Sequence, residues 1–260
     1  NQVRNSNIQL MEGFKVTDLL FDGGNVCGVK GHDETKTKFS IKAKIVIDGG
    51  GRNSISLRRL NLRRGSPGKG KIALAAHWEG VKGLGRYCYM HISHPGYTGI
   101  APVGYNRANV VLVVDRNYLI GVNVEQFFMT TVLGNRLRER ILGGGTPVEK
   151  IRTVDSLAYS VKKIRCGGLL LVGDATGFID PFTGEGIYLS LRSSQLAVGV
   201  VENAFDKSDF SSRQLQSYDL IRKKEFRKKN ILSKFLQRLI YRPYLCNRVV
   251  ETLATQKELS

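Results

Sequence analysis

Leu169-Leu170-Leu171-Val172-Gly173-Asp174-Ala175-Thr176-Gly177-Phe178-Ile179-Asp180-Pro181-Phe182-Thr183-Gly184-Glu185-Gly186-Ile187 is the stretch whose reading decides the fold. Its first four residues form an apolar run of the kind a strand buried on both faces carries. Gly173 removes the side chain where that strand emerges, so a ligand can approach the backbone, and Asp174 presents an acceptor suited to sugar hydroxyls. Pro181 and Gly184 bend the chain, and Gly186 lets the next helix start close to a flat ring. Such a helix start aims unpaired N–H groups and a positive dipole end outward. That suits a phosphate, or a ring carbonyl that turns anionic on reduction.

This order of residues after a buried strand closely resembles the second FAD-binding motif of one flavoprotein superfamily. Its members include para-hydroxybenzoate hydroxylase-like monooxygenases, flavin-dependent halogenases and geranylgeranyl reductases. The resemblance implies FAD as cofactor, with NAD(P)H as reductant. It implies that Asp174 bonds the ribityl chain, with Gly173 beside it among the cofactor-binding residues, and that Pro181, Gly184, Glu185 and Gly186 lie beside the isoalloxazine ring. The implied fold is α/β, an FAD-binding Rossmann-like domain with an inserted β-rich substrate domain and C-terminal helices.

Upstream, Val16 to Phe21 and Val26 to Lys30 flank Asp22-Gly23-Gly24-Asn25, a strong hairpin signal. Phe39 to Ala43 and the apolar run Ile45-Val46-Ile47 complete a meander that ends in Asp48-Gly49-Gly50-Gly51-Arg52-Asn53-Ser54. Ser54 can cap a helix from Ile55 to about Leu60. A meander closing on Gly-Arg-Asn-Ser is similar to the middle FAD/NAD(P)H motif of the same superfamily, which adds Gly51, Arg52 and Ser54 to the implied cofactor residues. The motif usually carries an acidic residue immediately before its last glycine, and here that position is Gly50. Asp48 stands two positions early.

The stretch 72–114 is strand-rich, with Tyr87 to Ile92, Tyr97 to Ala101 and Val110 to Val114 the clearest strands, and is where such flavoproteins insert a substrate sheet. Pro95-Gly96-Tyr97-Thr98-Gly99-Ile100-Ala101-Pro102 looks like a segment that carries a tryptophan before its proline in geranylgeranyl reductases and halogenases. Gly99 replaces that tryptophan, and Tyr97 and Pro102 are the candidate substrate-pocket residues. His77 and Trp78 read first as packing residues. His91 and His94 have no third ligand nearby in sequence, and no metal site is expected. Val124 to about Leu142 fits one amphipathic helix, Val154 to Val161 a strand, and Ile187 to about Ala204 a helix apolar on most sides and buried against the sheet, with Ser190, Ser193, Ser194 and Gly199 permitting close packing.

Forty Lys and Arg against 22 Asp and Glu give a formal charge of +18. Half of it falls between Arg213 and Arg248. In that segment Leu232, Phe235, Leu236, Leu239 and Ile240 follow helical spacing, with Arg227, Lys234 and Arg238 on the other side and Pro243 as a stop. Either this is a surface helix docked on the core with a solvated basic face, or it touches an anionic membrane surface. Nucleic-acid motifs and aromatic interleaving are absent. Cys27, Cys88, Cys166 and Cys246 lie far apart without paired spacing, which argues against a disulfide framework and for a cytoplasmic protein, with peripheral membrane contact left open.

Four segments follow: 1–66 and 161–205 as the two parts of the FAD-binding domain, 67–160 as the β-rich substrate domain, and 206–260 as basic C-terminal helices. Arg63 to Lys71 reads as the first linker. No strand followed by G-x-G-x-x-G is present to hold the ADP half of FAD, so the first βαβ unit is expected upstream and the chain reads as an N-terminally truncated fragment. The expected function is an FAD-dependent oxidoreductase, either an NAD(P)H-dependent monooxygenase or a geranylgeranyl-reductase-like reductase, acting on a small or lipid-like organic substrate. No acid/base pair or nucleophile emerges, so no catalytic residue is named. The alternatives are a non-catalytic basic module binding anionic membrane or nucleic acid, and a degenerate flavoprotein.

Overall fold

The computed structural model describes residues 3–65, 70–154, 157–178, 182, 184–240 and 242–255. In chain order the elements are β1 (Lys15–Asp22), β2 (Asn25–His32), β3 (Lys38–Lys42), β4 (Val46–Asp48), α1 (Ile55–Arg59), β5 (Arg63–Arg64), β6 (Lys71–Glu79), β7 (Tyr89–Ser93), β8 (Gly96–Pro102), β9 (Arg107–Asp115), α2 (Val124–Leu133), α3 (Arg136–Leu142), β10 (Thr146–Pro147), β11 (Arg152–Val154), β12 (Ser160–Val161), β13 (Leu169–Leu171), α4 (Gly186–Asp206), α5 (Ser212–Ile240) and α6 (Pro243–Thr255). The architecture is the mixed α/β one that the motif order implies. Two compact units divide it, 1–64 with 159–228 and 65–158 with 229–260, and the basic segment 206–260 is shared between them.

In the first unit, β1, β2 and β3 form an antiparallel meander closed by the Asp22–Asn25 turn. Gly23 and Gly24 both have positive φ there, +52° and +79°, as a tight hairpin whose twist matches its strands requires. β13 pairs in parallel with β4, Leu170 opposite Ile47. Because side chains alternate along a strand, β13 packs in two directions. Leu169 and Leu171 join Leu19, Val26, Leu57 and Leu62, whereas Leu170 and Val172 join Ala197, Val200 and Ala204 of α4 and Leu215 and Tyr218 of α5. Ile47, expected within a buried run, is 49% exposed.

The second unit is built on a sheet ordered β10-β6-β9-β8-β7, with β11 also paired to β6. One face of it, including Leu74, Trp78, Ile100, Val110 and Leu112, packs with Phe128 and Val132 of α2 and Leu142 of α3. Trp78 is fully buried, and its indole N–H donates to the Leu142 carbonyl at 3.1 Å. Truncating such a residue costs about 3–5 kcal/mol. His77, one residue earlier and therefore on the other face, is exposed and its Nδ1 hydrogen-bonds the Glu149 carboxylate at 2.7 Å.

Several expected elements take a different form. The helix expected over Val124 to Leu142 is broken at Gly134-Asn135, because the Asn135 side chain accepts from the backbone N–H groups of Leu137 and Arg138 and starts α3 afresh. Arg138 then fills the break. Its guanidinium donates to Val132 O (2.8 Å), Thr131 O (2.6 Å) and Ser93 Oγ (2.8 Å), satisfying carbonyls that the end of α2 leaves open. The expected strand Val154 to Val161 is replaced by β11 and β12 in different units. Part of the expected linker, Arg63–Arg64, is itself a strand paired with β12. The helix after the Gly-Asp stretch is buried along one stripe only: Ser193, Ala197, Val200 and Ala204 are covered, while Ile187, Leu191 and Val198 are exposed at 80%, 65% and 53%. Gly199 faces open space and serves no close packing.

Candidate functional site

Two loops of the first unit meet at the candidate site. The first follows β4, and its geometry is set by Asp48, which is buried. The Asp48 carboxylate accepts from Gly50 N (2.8 Å) and Ser56 N (3.0 Å) and from the Ser54 hydroxyl (2.7 Å). Burial pushes its pKa up, and hydrogen bonds from Ser56, Ser54 and Gly50 more than offset this, holding the carboxyl below the usual aspartate value. Ser54 Oγ also accepts from Leu57 N at 3.2 Å, which caps α1 as the sequence suggests. The buried Ser54 hydroxyl thus ties the loop to Asp48 and caps α1.

The second loop is the turn Gly173–Thr176 after β13. Gly173 lies at φ +59°, and a Cβ there would come 2.8 Å from Ser190 Oγ of α4. The missing side chain makes room for the close approach of α4, and Gly173 N donates to Ser193 Oγ at 2.8 Å. Thr176 Oγ1 donates to Gly173 O (2.8 Å) and accepts from Arg222 Nη1 of α5 (3.1 Å). The Tyr159 hydroxyl donates to the Asp174 carbonyl, and the Tyr159 backbone exchanges hydrogen bonds of 2.9 and 3.0 Å with Phe178. The Arg63 guanidinium lies over the Tyr159 ring, 4.4 Å from its centre.

These supports bring Asp174 against Gly51. Gly51 has φ +61°, and a Cβ there would lie 4.0 Å from the Asp174 Cβ. Asp174 is half-buried. Burial pushes its carboxyl above the usual aspartate range, and the positive charge of Arg52 works against that rise. Further along, Gly184 adopts φ +67°, Glu185 precedes the first turn of α4, and Gly186 opens the helix. A Cβ on either glycine would meet no described atom within 4 Å. Pro181 lies outside the described residues. Tyr97 and Pro102 belong to the second unit, five positions apart on β8 in unbroken register with β9. They therefore face opposite sides of the sheet and do not line one pocket together.

Tyr159, Arg222 and Ser193 were not legible as site residues, because each reaches its partner across 15 to 46 positions with no local motif.

The squalene epoxidase family model matches residues 124–244. Digeranylgeranylglycerophospholipid reductase 1 of Methanococcoides burtonii is 27% identical over 220 residues, covering 82% of this chain and 52% of that protein. CmlS, a flavin-dependent halogenase, superposes with a TM-score of 0.75 at 22% identity over 86% of this chain and 42% of that one. A geranylgeranyl bacteriochlorophyll reductase-like protein of Thermoplasma acidophilum gives 0.74 at 23% identity, over 87% and 57%. The chain is similar in sequence to geranylgeranyl-lipid reductases and in fold to flavin-dependent halogenases and reductases. It spans about half the length of the curated relatives it matches.

Similarity to FAD-dependent enzymes implies FAD, and the residues bearing on its flavin half are those of the two loops. An acceptor carboxylate stands at Asp174, Gly51 leaves room beside it, and no described atom lies within 4 Å of a Cβ built on Gly184 or Gly186.

Proposed function

We propose that the chain is the flavin-holding part of an FAD-dependent oxidoreductase acting on a small or lipid-like organic substrate, with NAD(P)H as the electron donor. The observation that carries this reading is the meeting of Gly51 with Asp174, which joins the two motif loops into one surface. In it Asp174 accepts hydrogen bonds from the ribityl hydroxyls. Gly184 and Gly186 would leave space for the ring near the start of α4, whose first N–H groups and dipole would favour negative charge there. Bound flavin supplies the two-electron redox chemistry, while the protein sets orientation, electrostatics and access. Tyr159 and Arg222 keep the Asp174 loop in place from two sides.

Monooxygenation and double-bond reduction both remain in this reading. Names among the relatives favour reduction of an isoprenoid lipid, and the match to squalene epoxidase favours oxygenation. Oxygen uptake coupled to a hydroxylated or epoxidised product would discard the reductase form. The visible absorption spectrum of the full-length protein tests the reading as a whole: flavin bands that vanish in Asp174→Ala are expected, and a colourless protein that FAD cannot reconstitute would overturn it.

A second reading adds a membrane surface, and α5 favours it. Leu220, Ile231, Leu232 and Phe235 are 54–70% exposed, and Lys224, Lys228 and Arg238 are exposed on the same helix. Apolar residues facing outward among lysines and arginines suit the lipid interface better than a solvated basic face does. Among the described residues no helix is long and apolar enough to cross a membrane. The contact would be peripheral.

A further inference from the structure

Gly50 occupies the position where the middle motif usually carries an acidic residue. Its backbone does not demand glycine: φ is −67° and ψ is 5°, a conformation open to any residue. Space is what excludes a side chain. A Cβ on Gly50 would lie 2.9 Å from Asp48 Oδ1 and 3.1 Å from the Ser54 Cα. Neither neighbour can give way cheaply. The Ser54 atom is backbone at the start of α1, and the Asp48 carboxylate is held by three donors, Gly50 N, Ser54 Oγ and Ser56 N.

A carboxylate at position 50 and the carboxylate of Asp48 therefore exclude one another in this loop. The Asp48 side chain fastens the strand end to both the turn and the first residues of α1. That fixes the 3-10 turn Gly51–Asn53, and with it the approach of Gly51 to Asp174 and the placement of Arg52.

We infer that Asp48 is a positioning residue for the cofactor-facing loop, with Gly50 as the space it requires, so that the chain has moved its acidic anchor two positions upstream instead of losing it. The inference deepens the flavin reading and rests on it. Asp48 acts through the loop, because its oxygens are engaged by protein donors and its residue is buried. A degenerate middle motif would have no reason to keep a buried carboxylate with three partners and a glycine beside it.

The test is a double-mutant cycle in the full-length protein, read by FAD affinity from flavin fluorescence and by thermal midpoint from circular dichroism. Asp48→Ala and Gly50→Ala are each expected to weaken FAD binding by about tenfold or more, the scale of one lost anchoring interaction. Once Asp48 is gone the shorter of the two collisions is gone and only the 3.1 Å approach to the Ser54 Cα remains, so adding Gly50→Ala to Asp48→Ala is expected to cost less than Gly50→Ala costs alone. Asp48→Asn keeps the shape but points an amide N–H₂ at backbone or hydroxyl donors, and it is expected to behave like Asp48→Ala while remaining folded. Gly50→Ala with unchanged affinity, or additive losses in the double variant, would overturn the inference. If the wild-type protein takes up no FAD, the flavin reading fails instead, and the coupling of positions 48 and 50 is decided by whether the thermal midpoints show the same non-additivity.

Discussion

Gly51 and Asp174 face each other where two loops of the first unit converge, with a Cβ on Gly51 reaching to 4.0 Å of the Asp174 Cβ. The left-handed φ of +61° at Gly51 favours glycine on backbone grounds, while the space beside it would admit a Cβ in ordinary contact with Asp174. Gly51→Ala is expected to lower stability by about 1–2 kcal/mol, seen as a shift in the urea midpoint at unchanged slope. FAD affinity should fall as well. An unchanged midpoint would mean that the loop relaxes to another conformation.

Asp174 works against the fold in order to serve the site. Burial raises its pKa in the folded protein, and Arg52 only partly opposes this. A carboxyl whose folded pKa lies above its unfolded value contributes stability below the unfolded pKa, and that contribution is lost as pH rises through the folded value. At neutral pH the ionised group is therefore a cost. Asp174→Asn in cofactor-free protein is expected to raise the thermal midpoint at pH 7, with the gain shrinking as pH falls through the raised folded value and gone below about 4, the ordinary aspartate pKa. The same variant should lose FAD. A midpoint that falls at pH 7 would contradict the sign of the shift.

Tyr159 ties the far side of the same loop. Its hydroxyl is the donor to the Asp174 carbonyl, and the residue is buried. Tyr159→Phe removes the donor and leaves the carbonyl unpaired, which costs about 1–2 kcal/mol. Because the lost bond is to the backbone of Asp174, the weakened FAD affinity should exceed that of a surface Tyr→Phe control. Equal affinities in the two variants would reduce Tyr159 to a packing residue.

Local chemistry was legible in the sequence, and long-range chemistry was not. The buried run Leu169–Val172, the Asp22–Asn25 hairpin and the Ser54 cap each declare themselves within a few residues, through apolar patterning, glycine conformations or a side chain that reaches the next turn. The break at Gly134-Asn135 was also written locally, but the helical spacing on both sides concealed it. Asp48 was visible only as an acidic residue two positions early, because its meaning depends on donors at 50, 54 and 56 converging in space. Tyr159 and Arg222 reach the site from 15 and 46 positions away. The exposed sides of α4 and α5 defeated the periodicity argument outright, since spacing shows that apolar residues share a face but not whether anything covers it.

The second unit offers a test independent of any cofactor. Arg138 is 1% exposed, and its guanidinium serves two carbonyls of α2 and the Ser93 hydroxyl. Burial lowers its pKa, yet arginine stays charged far above neutral pH. Arg138→Met strands those acceptors and is expected to cost roughly 3 kcal/mol in urea unfolding. Arg138→Lys should not rescue it, because an ammonium cannot reproduce the planar fork. Full rescue by lysine would show that charge alone suffices.

The outward face of α5 makes the membrane reading testable without disturbing the fold. Leu232 and Phe235 are 55% and 54% exposed, so serine at both positions should change stability by no more than about 0.5 kcal/mol each. Binding to vesicles containing anionic phospholipid is expected to fall sharply in the Leu232→Ser/Phe235→Ser variant of the full-length protein. Neutralising Lys224, Lys228 and Arg238 should remove about 1 kcal/mol per charge at low salt, with the effect fading as salt rises. Both changes together separate an interfacial helix from simple charge attraction. If vesicle binding survives the loss of both apolar side chains and disappears only with the charges, the helix face is a basic patch and not a lipid-inserting one.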